Sequence, residues 1–371
     1  MPPTDPSPTR EHEQLIARTV AAIRPLDATA TEAAAGRQGT LTKPPGALGR
    51  LEDLSIRIAG ITGSPRPRLE RRLIVVAAGD HGVAARGVSA YPQEVTAQMV
   101  LNFLHGGAAI NVLAQHAGAR VRVVDAGVLA ETPEDPALIR LRLGPGTNDI
   151  AEGPAMTRAD ALAAVAAGIE LYARERDAEG IDIVGCGEMG IGNSTSAAAI
   201  IAAVTGRPPR AVTGRGTGVD DERFEQKIRA IEQALEVNRP DASDGIDVLR
   251  TVGGFEIGVL AGIYLAAAAD GAPAVLDGLI STAAALVAVA LSPEAGPRLI
   301  ASHRSAEPGH AAALEHLRLE PLIDLGMRLG EGSGAALGIS LCVAACRMLD
   351  EMATFEEAGV SDSDDAVEPE P

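Results

Sequence analysis

The chain has no tryptophan and only 2% aromatic residues among 371, although 46% of it is hydrophobic. Its core must therefore be built from Ala, Val, Ile and Leu, whose small size allows close contact between helices and strands. Cysteine is scarce: Cys186, Cys342 and Cys346 cannot make a full disulfide framework. Cys342 and Cys346 share one face of a helical pattern, with no His or third Cys beside them. They read as small buried hydrophobes rather than a metal pair. Positive charge is short as well, with 32 Lys and Arg against 50 Asp and Glu, a net charge of −18 and a sequence pI near 4.8. Nothing forms the basic stripe of a nucleic-acid binder. The longest apolar runs, such as VLAGIYLAAAA (Val259 to Ala269), are too short to span a bilayer. The N-terminus is rich in proline and lacks the apolar segment of a secretory signal. These absences predict a soluble cytoplasmic protein with no nucleic-acid or membrane partner.

What is present is a repeated pattern of Val- and Ile-rich runs that end in glycine or a polar turn and pass into Ala-rich helical segments. Arg71–Val83, Ala119–Val128, Gly180–Val204 and Ala272–Leu291 follow it, and Pro297–Ser305 reads as a fifth strand. Near-continuous apolar strands alternating with helices predict an α/β fold, a mostly parallel Rossmann-like sheet flanked by helices. Helical patterns at both ends of the chain predict a smaller helical domain. The expected division is 1–10 as a disordered N-terminus, 11–65 as a helical segment of the small domain, and 66–318 as the α/β substrate-binding domain. Residues 319–358 are a helical segment packing with the small domain, and 359–371 a disordered acidic tail. In parallel sheets ligands bind at the carboxyl ends of the strands. The candidate loops are thus Gly79–Gly82, Gly185–Asn193, Asp277–Ser281 and Ser302–Glu307.

GCGEMG (Gly185 to Gly190) matches a dinucleotide-binding G-x-G-x-x-G, which would make the chain an NAD-dependent oxidoreductase. Two features weaken that reading: TGRPPR (Thr205 to Arg210) stands where a ribose-binding acid belongs, and the strand is the third of the series. The loop runs into Asn193 and Ser194, good N-caps, an arrangement that suits an anion or a plain strand–helix turn. GRGTG (Gly214 to Gly218) is a second glycine-dense loop, carrying Arg215 and followed by Lys227. Two such loops and a lysine point to a monophosphate, and the absence of Gly-Lys-Ser/Thr argues against a triphosphate. AGDHGV (Ala78 to Val83) places Asp80 and His81 after a strand, where a hydrogen-bonded scaffold is favoured over a metal or a triad. ASHRSAEPG (Ala301 to Gly309) offers Ser305 as a substrate contact or an N-cap. In MRLGEGSGAALGIS (Met327 to Ser340) one acid, Glu331, stands between two glycines.

Taken in order, KPPGALGRLEDL, AGDHGV with GVSAYPQEVT, GEMGIGNSTSAAA, VGGFEIGVLAG, LDGLISTAAAL, SHRSAEPG and RLGEGSGAAL resemble the nicotinate-nucleotide–dimethylbenzimidazole phosphoribosyltransferase family of cobalamin biosynthesis. The resemblance covers roughly Leu15 to Glu357. It implies a homodimer that uses no metal or other cofactor. The implied reaction is phosphoribosyl transfer from nicotinate mononucleotide to 5,6-dimethylbenzimidazole, with inversion at C1′. By the same resemblance Glu331 is the general base, and Glu188 a second acid that positions the ribose or the incoming ring. Gly190 and the following amides up to Asn193, with Gly216 and Lys227, form the phosphate cradle. Ser305 lies near the departing nicotinate, and Gly330 and Gly332 let the flat ring or the phosphoribosyl group approach the backbone. Tyr91 and Met99 fall in the base pocket, where some members carry a smaller hydroxyl residue and an amide. Another azole, a purine or a phenolic base therefore stays open as the acceptor.

Overall fold

A computed structural model describes residues 8–216 and 218–361. The tails expected to be disordered at 1–7 and 362–371 lie outside the described residues, and residues 8–10 are already helical, in Pro8–Ala22.

Six parallel strands form one sheet in the order β3-β2-β1-β4-β5-β6, with β1 Arg72–Gly79, β2 Arg120–Gly127, β3 Leu138–Arg140, β4 Ile183–Met189, β5 Ala274–Leu276 and β6 Leu299–Ala301. The five expected strands are all present; β3, an edge strand of sequence Leu-Ile-Arg in which Leu138 alone is buried, offers no continuous apolar run to mark it. The chain steps outward from β1 to β3 and then returns to pair β4 with β1, Val75 opposite Cys186. That reversal opens a crevice at the carboxyl ends of β1 and β4, the place where such sheets bind ligands.

The scarcity of aromatic side chains is used at the helix crossings. Helices Arg158–Glu179 and Phe255–Asp270 approach so closely that a Cβ on Gly168 would lie 2.0 Å from the Val259 carbonyl oxygen, and one on Gly262 2.1 Å from that of Val165. Ala164, Val165, Val259 and Ala261 fill the contact and are fully buried.

The chain divides into two compact units, Met1–Arg24 with Arg71–Ile339, and Pro25–Glu70 with Ser340–Pro371. This differs from the expected boundaries at both ends. The first helix, Pro8–Ala22, belongs by sequence position to the small domain; instead Ile16 and Ile23 join the core of the sheet unit. Residues 319–329, ahead of a break expected at Gly330–Gly334, are expected to be helical and to pack with the small domain. They run without helix alongside the end of β6, where Leu322 and Ile323 donate to the carbonyls of Ala301 and Ser302 at 3.0 and 3.1 Å. Those backbone bonds carry Glu331 into the larger unit. In the smaller unit Arg37 donates to the carbonyls of Leu349, Asp350 and Met352, and Asp350 also receives Arg66 and Arg68. Ser333–Glu351 has the length and apolar character to cross a membrane, but 56% of its apolar window is buried within the fold.

Candidate active site

The ends of β4, β5 and β6, the Tyr91–Met99 stretch, Gly216 and the 328–331 segment line a cavity of about 720 Å³, within the range of small-molecule sites. Glu331 reaches it from a turn in which Gly330, Glu331 and Gly332 have φ of +83°, +63° and +91°. Left-handed backbone is cheap for the two glycines and costs the glutamate roughly 1–2 kcal/mol. The turn also presses on β4: a Cβ on Gly187 would lie 2.2 Å from the Glu331 carbonyl carbon, and one on Gly330 2.4 Å from Glu188 Oε1. Against that backbone only glycine fits at 187, so the middle of GCGEMG serves the neighbouring turn rather than a dinucleotide.

Glu331 is 7% exposed, and its Oε2 has no hydrogen-bond partner. Burial pushes its carboxyl above the usual range, aided by the charge of Asp277 and opposed by the backbone N–H of Ile110. Glu188, at the end of β4, accepts from the Asn193 side-chain amide. Burial, with the nearby charges of Asp277 and Glu256, pushes Glu188 up to about 8. Two carboxyl groups thus face one cavity with raised proton affinity and, among the described residues, no cation bonded to either, an arrangement suited to taking or sharing a proton.

The opposite side is built around Lys227, which is 1% exposed. Its Nζ donates to Ser194 Oγ at 2.9 Å and to the Gly214 carbonyl at 3.2 Å, and burial lowers it to about 8. Gly216 and Ser194 line the cavity in front of it, whereas Lys227 itself stands one layer behind. Arg215 turns away toward Asp221 and the Phe224 ring. The cation at the cavity wall is instead Arg328, which donates to the Gly216 carbonyl at 2.9 Å. Its place two residues before the Gly330 turn was a signal available in the sequence. Glu307 Oε1 accepts the Gly216 N–H at 3.0 Å, and its Oε2 has no partner.

Tyr91, Met99, Glu188, Gly190, Asn193, Gly216, Ser305, Gly330 and Glu331 all line the cavity. Gly332 does not; its N–H is committed to Asp277 Oδ2 at 2.9 Å. The amides after Gly190 are also partly engaged, Ile191 to Thr96 Oγ1 at 3.1 Å and Asn193 to the Gly190 carbonyl at 3.2 Å. Asn193 is not a capping residue: Gly192 holds the N-cap position, which frees the asparagine side chain for Glu188. Ser305 is held through its backbone N–H, which donates to His310 Nδ1 at 2.9 Å. Burial lowers His310 to about 3, so the imidazole is neutral and its Nδ1 can accept.

Asp80 and His81 form the scaffold expected of them. Asp80 accepts from Thr96 Oγ1 at 2.7 Å and from the Leu129 N–H at 2.9 Å, while His81 bridges Ser196 at 2.9 Å and Glu256 at 2.6 Å. Thr96 thereby ties the helix carrying Met99, Val95–Leu104, to both β1 and the loop after β4. Among the described residues no group of three or more His, Cys, Asp or Glu is placed to hold a metal ion.

A family model described as a phosphoribosyltransferase matches residues 23–360. The Roseiflexus sp. (strain RS-1) protein named nicotinate-nucleotide–dimethylbenzimidazole phosphoribosyltransferase is 62% identical over 347 residues, 94% of this chain and 98% of that protein. The protein of the same name from Chloroflexus aggregans (strain MD-66 / DSM 9485) is 57% identical over 352 residues, 95% of this chain and 99% of that one. A crystal structure of the enzyme of that name from Thermus thermophilus superposes with a TM-score of 0.86 at 48% identity, covering 91% of this chain and 100% of the other.

Proposed function

Because the chain belongs to the nicotinate-nucleotide–dimethylbenzimidazole phosphoribosyltransferase family, we infer that it moves phosphoribose from nicotinate mononucleotide to 5,6-dimethylbenzimidazole. The products are α-ribazole 5′-phosphate, the lower-ligand precursor of cobalamin, and nicotinate. The observation that carries the mechanism is the unpartnered, buried Oε2 of Glu331 at the cavity.

The donor's pyridinium nitrogen is already cationic, so nicotinate departs as a neutral ring without a general acid. The incoming benzimidazole attacks C1′ through one ring nitrogen and must lose the proton on the other. Glu331 takes that proton, and its raised proton affinity makes it a better base near neutrality than a solvated glutamate. Attack opposite the leaving group inverts the anomeric carbon. Glu188, protonated at pH 7 with a value of about 8, serves as a hydrogen-bond donor beside the reacting ribose. Ser194, Gly216 and Arg328, backed by Lys227, face the 5′-phosphate, and Ser305 faces the departing nicotinate. Tyr91 and Met99 shape the acceptor end, so acceptor choice is read by offering benzimidazoles, purines and phenols in competition. Exposed apolar side chains at Tyr91, Val112 and Leu329 favour a homodimer, and the reading places the enzyme in the cytoplasm.

The test is incubation with nicotinate mononucleotide and dimethylbenzimidazole followed by chromatography. α-Ribazole phosphate and nicotinate appear in equal amounts. Donor left intact with every acceptor class would overturn the assignment.

A further inference from the structure

Glu331 owes its place to a carboxylate outside its own loop. Asp277, at the end of β5, is 1% exposed. Its Oδ2 accepts the N–H of Gly332 at 2.9 Å, and its Oδ1 accepts those of Gly334 and Ala335 at 2.6 and 3.2 Å. These amides close the left-handed turn and open the helix Ser333–Glu351, where backbone donors lack intrahelical partners. Ser333 does not fill the role, because its hydroxyl donates backward to the Gly330 carbonyl at 2.8 Å. We propose that Asp277 is a positioning residue for phosphoribosyl transfer: it clamps the backbone following Glu331 to the sheet and so holds the base at the cavity in a conformation its own loop disfavours. The proposal rests on Glu331 being the proton acceptor.

A cap that only stabilised the helix would leave the chemistry of Glu331 alone. Asp277 does not, since its charge is among the causes that raise both Glu331 and Glu188. Besides Glu331 and Glu188, the titratable groups facing Asp277 are His303 after β6, Cys186 on β4 and Tyr264 on the helix Phe255–Asp270. Of these His303 alone can carry a positive charge, with Nε2 3.7 Å from Asp277 Oδ1. His310, 5.9 Å from the His303 ring, is held neutral by burial. Glu188 faces Glu331 across the Gly330 backbone. Asparagine at 277 keeps the shape but removes the charge and turns an N–H toward backbone N–H groups. The turn then loosens, and the pH at which Glu331 ionises moves down.

The experiment compares full-length Asp277→Asn, Glu331→Gln and the double variant with wild type, measuring turnover across pH and donor binding by calorimetry. Asp277→Asn is expected to lose on the order of 100-fold in kcat, the scale of a misplaced catalytic group, with donor affinity within about threefold. Its acid limb shifts to lower pH, and the double variant is no slower than Glu331→Gln alone, because both changes act through one carboxylate. Unimpaired turnover in Asp277→Asn, an unmoved acid limb, parallel loss of donor binding, or multiplied losses in the double variant each overturn the proposal while leaving Glu331 as the base. Wild-type turnover in Glu331→Gln overturns the base itself and the proposal with it. Should Asp277→Asn fail to fold, Asp277→Ser, which removes the charge with a smaller side chain that carries no N–H, takes its place. Wild-type kcat and pH profile in that variant overturn the proposal.

Discussion

The turn at Gly330–Gly332 and the loop at Gly214–Gly216 are both glycine-dense and both face the cavity, yet they prepare it in opposite senses. Beside the first, burial holds a proton on Glu188, raising it to about 8; behind the second, burial loosens the proton on Lys227, lowering it to about 8. The same desolvation acts on an acid and on a base, and in each case it disfavours the charged form. Neither loop is supported by its own side chains. The first hangs from Asp277 just after β5, the second from Lys227 on the helix Asp221–Asn238 and from Glu307 after β6. Glycine supplies the room, and distant strands and helices supply the chemistry.

The comparison breaks most severely at Glu331. Glu331→Gln is expected to lower kcat by about 10²–10⁴-fold, the usual worth of a general base, with donor binding kept. An unchanged kcat would mean that the acidic side of the cavity does not handle the proton. On the other side, Lys227→Met should act on the donor rather than on the chemistry. KM for nicotinate mononucleotide rises about 10-fold, because Ser194 and the Gly214 carbonyl lose the charge-assisted hydrogen bonds that hold the phosphate-facing wall, while kcat moves less. A fall in kcat at constant KM would erase the division between the two sides.

The smallest effect sharpens the comparison most. Glu188→Gln should change kcat at pH 7 by less than about tenfold, one neutral hydrogen bond's worth, since the native acid already carries its proton. Stability separates the two sides by pH. Between 4.5 and about 8 the folded chain keeps a proton on Glu188 that the unfolded chain has lost, so stability falls as pH rises through that window. Between about 8 and 10.5 the unfolded chain keeps the Lys227 proton and the folded chain gives it up, so stability rises with pH there. Thermal melts of Glu188→Gln should flatten the lower window alone, and those of Lys227→Met the upper one. A melt in which either variant alters both windows would show that the groups titrate together.

Much of this was legible in the residues. The Val- and Ile-rich runs marked β1, β2, β4, β5 and β6 because strands buried on both faces show continuous apolar stretches. The motif order placed nine of the expected contacts at one cavity. Position along the chain misled where tertiary contact decides. Residues 319–329 resemble a helix in pattern but form backbone bonds with the end of β6, and the first helix joined the sheet unit through Ile16, with Ile23 just beyond it. The loop beginning at Asp277 was a candidate, but no local pattern marks an acid so far upstream of Glu331 as the support of its turn. That link exists only because β4, β5 and β6 lie side by side.

The seat of Lys227 has a consequence for how the donor arrives. Near pH 8 a share of these molecules holds a neutral amine behind Ser194 and Gly216. A phosphate dianion settling against that wall makes the ammonium form the favoured one. Donor capture is then also capture of a hydrogen ion from the surrounding buffer, and the affinity of the empty enzyme for the donor weakens as the medium turns alkaline.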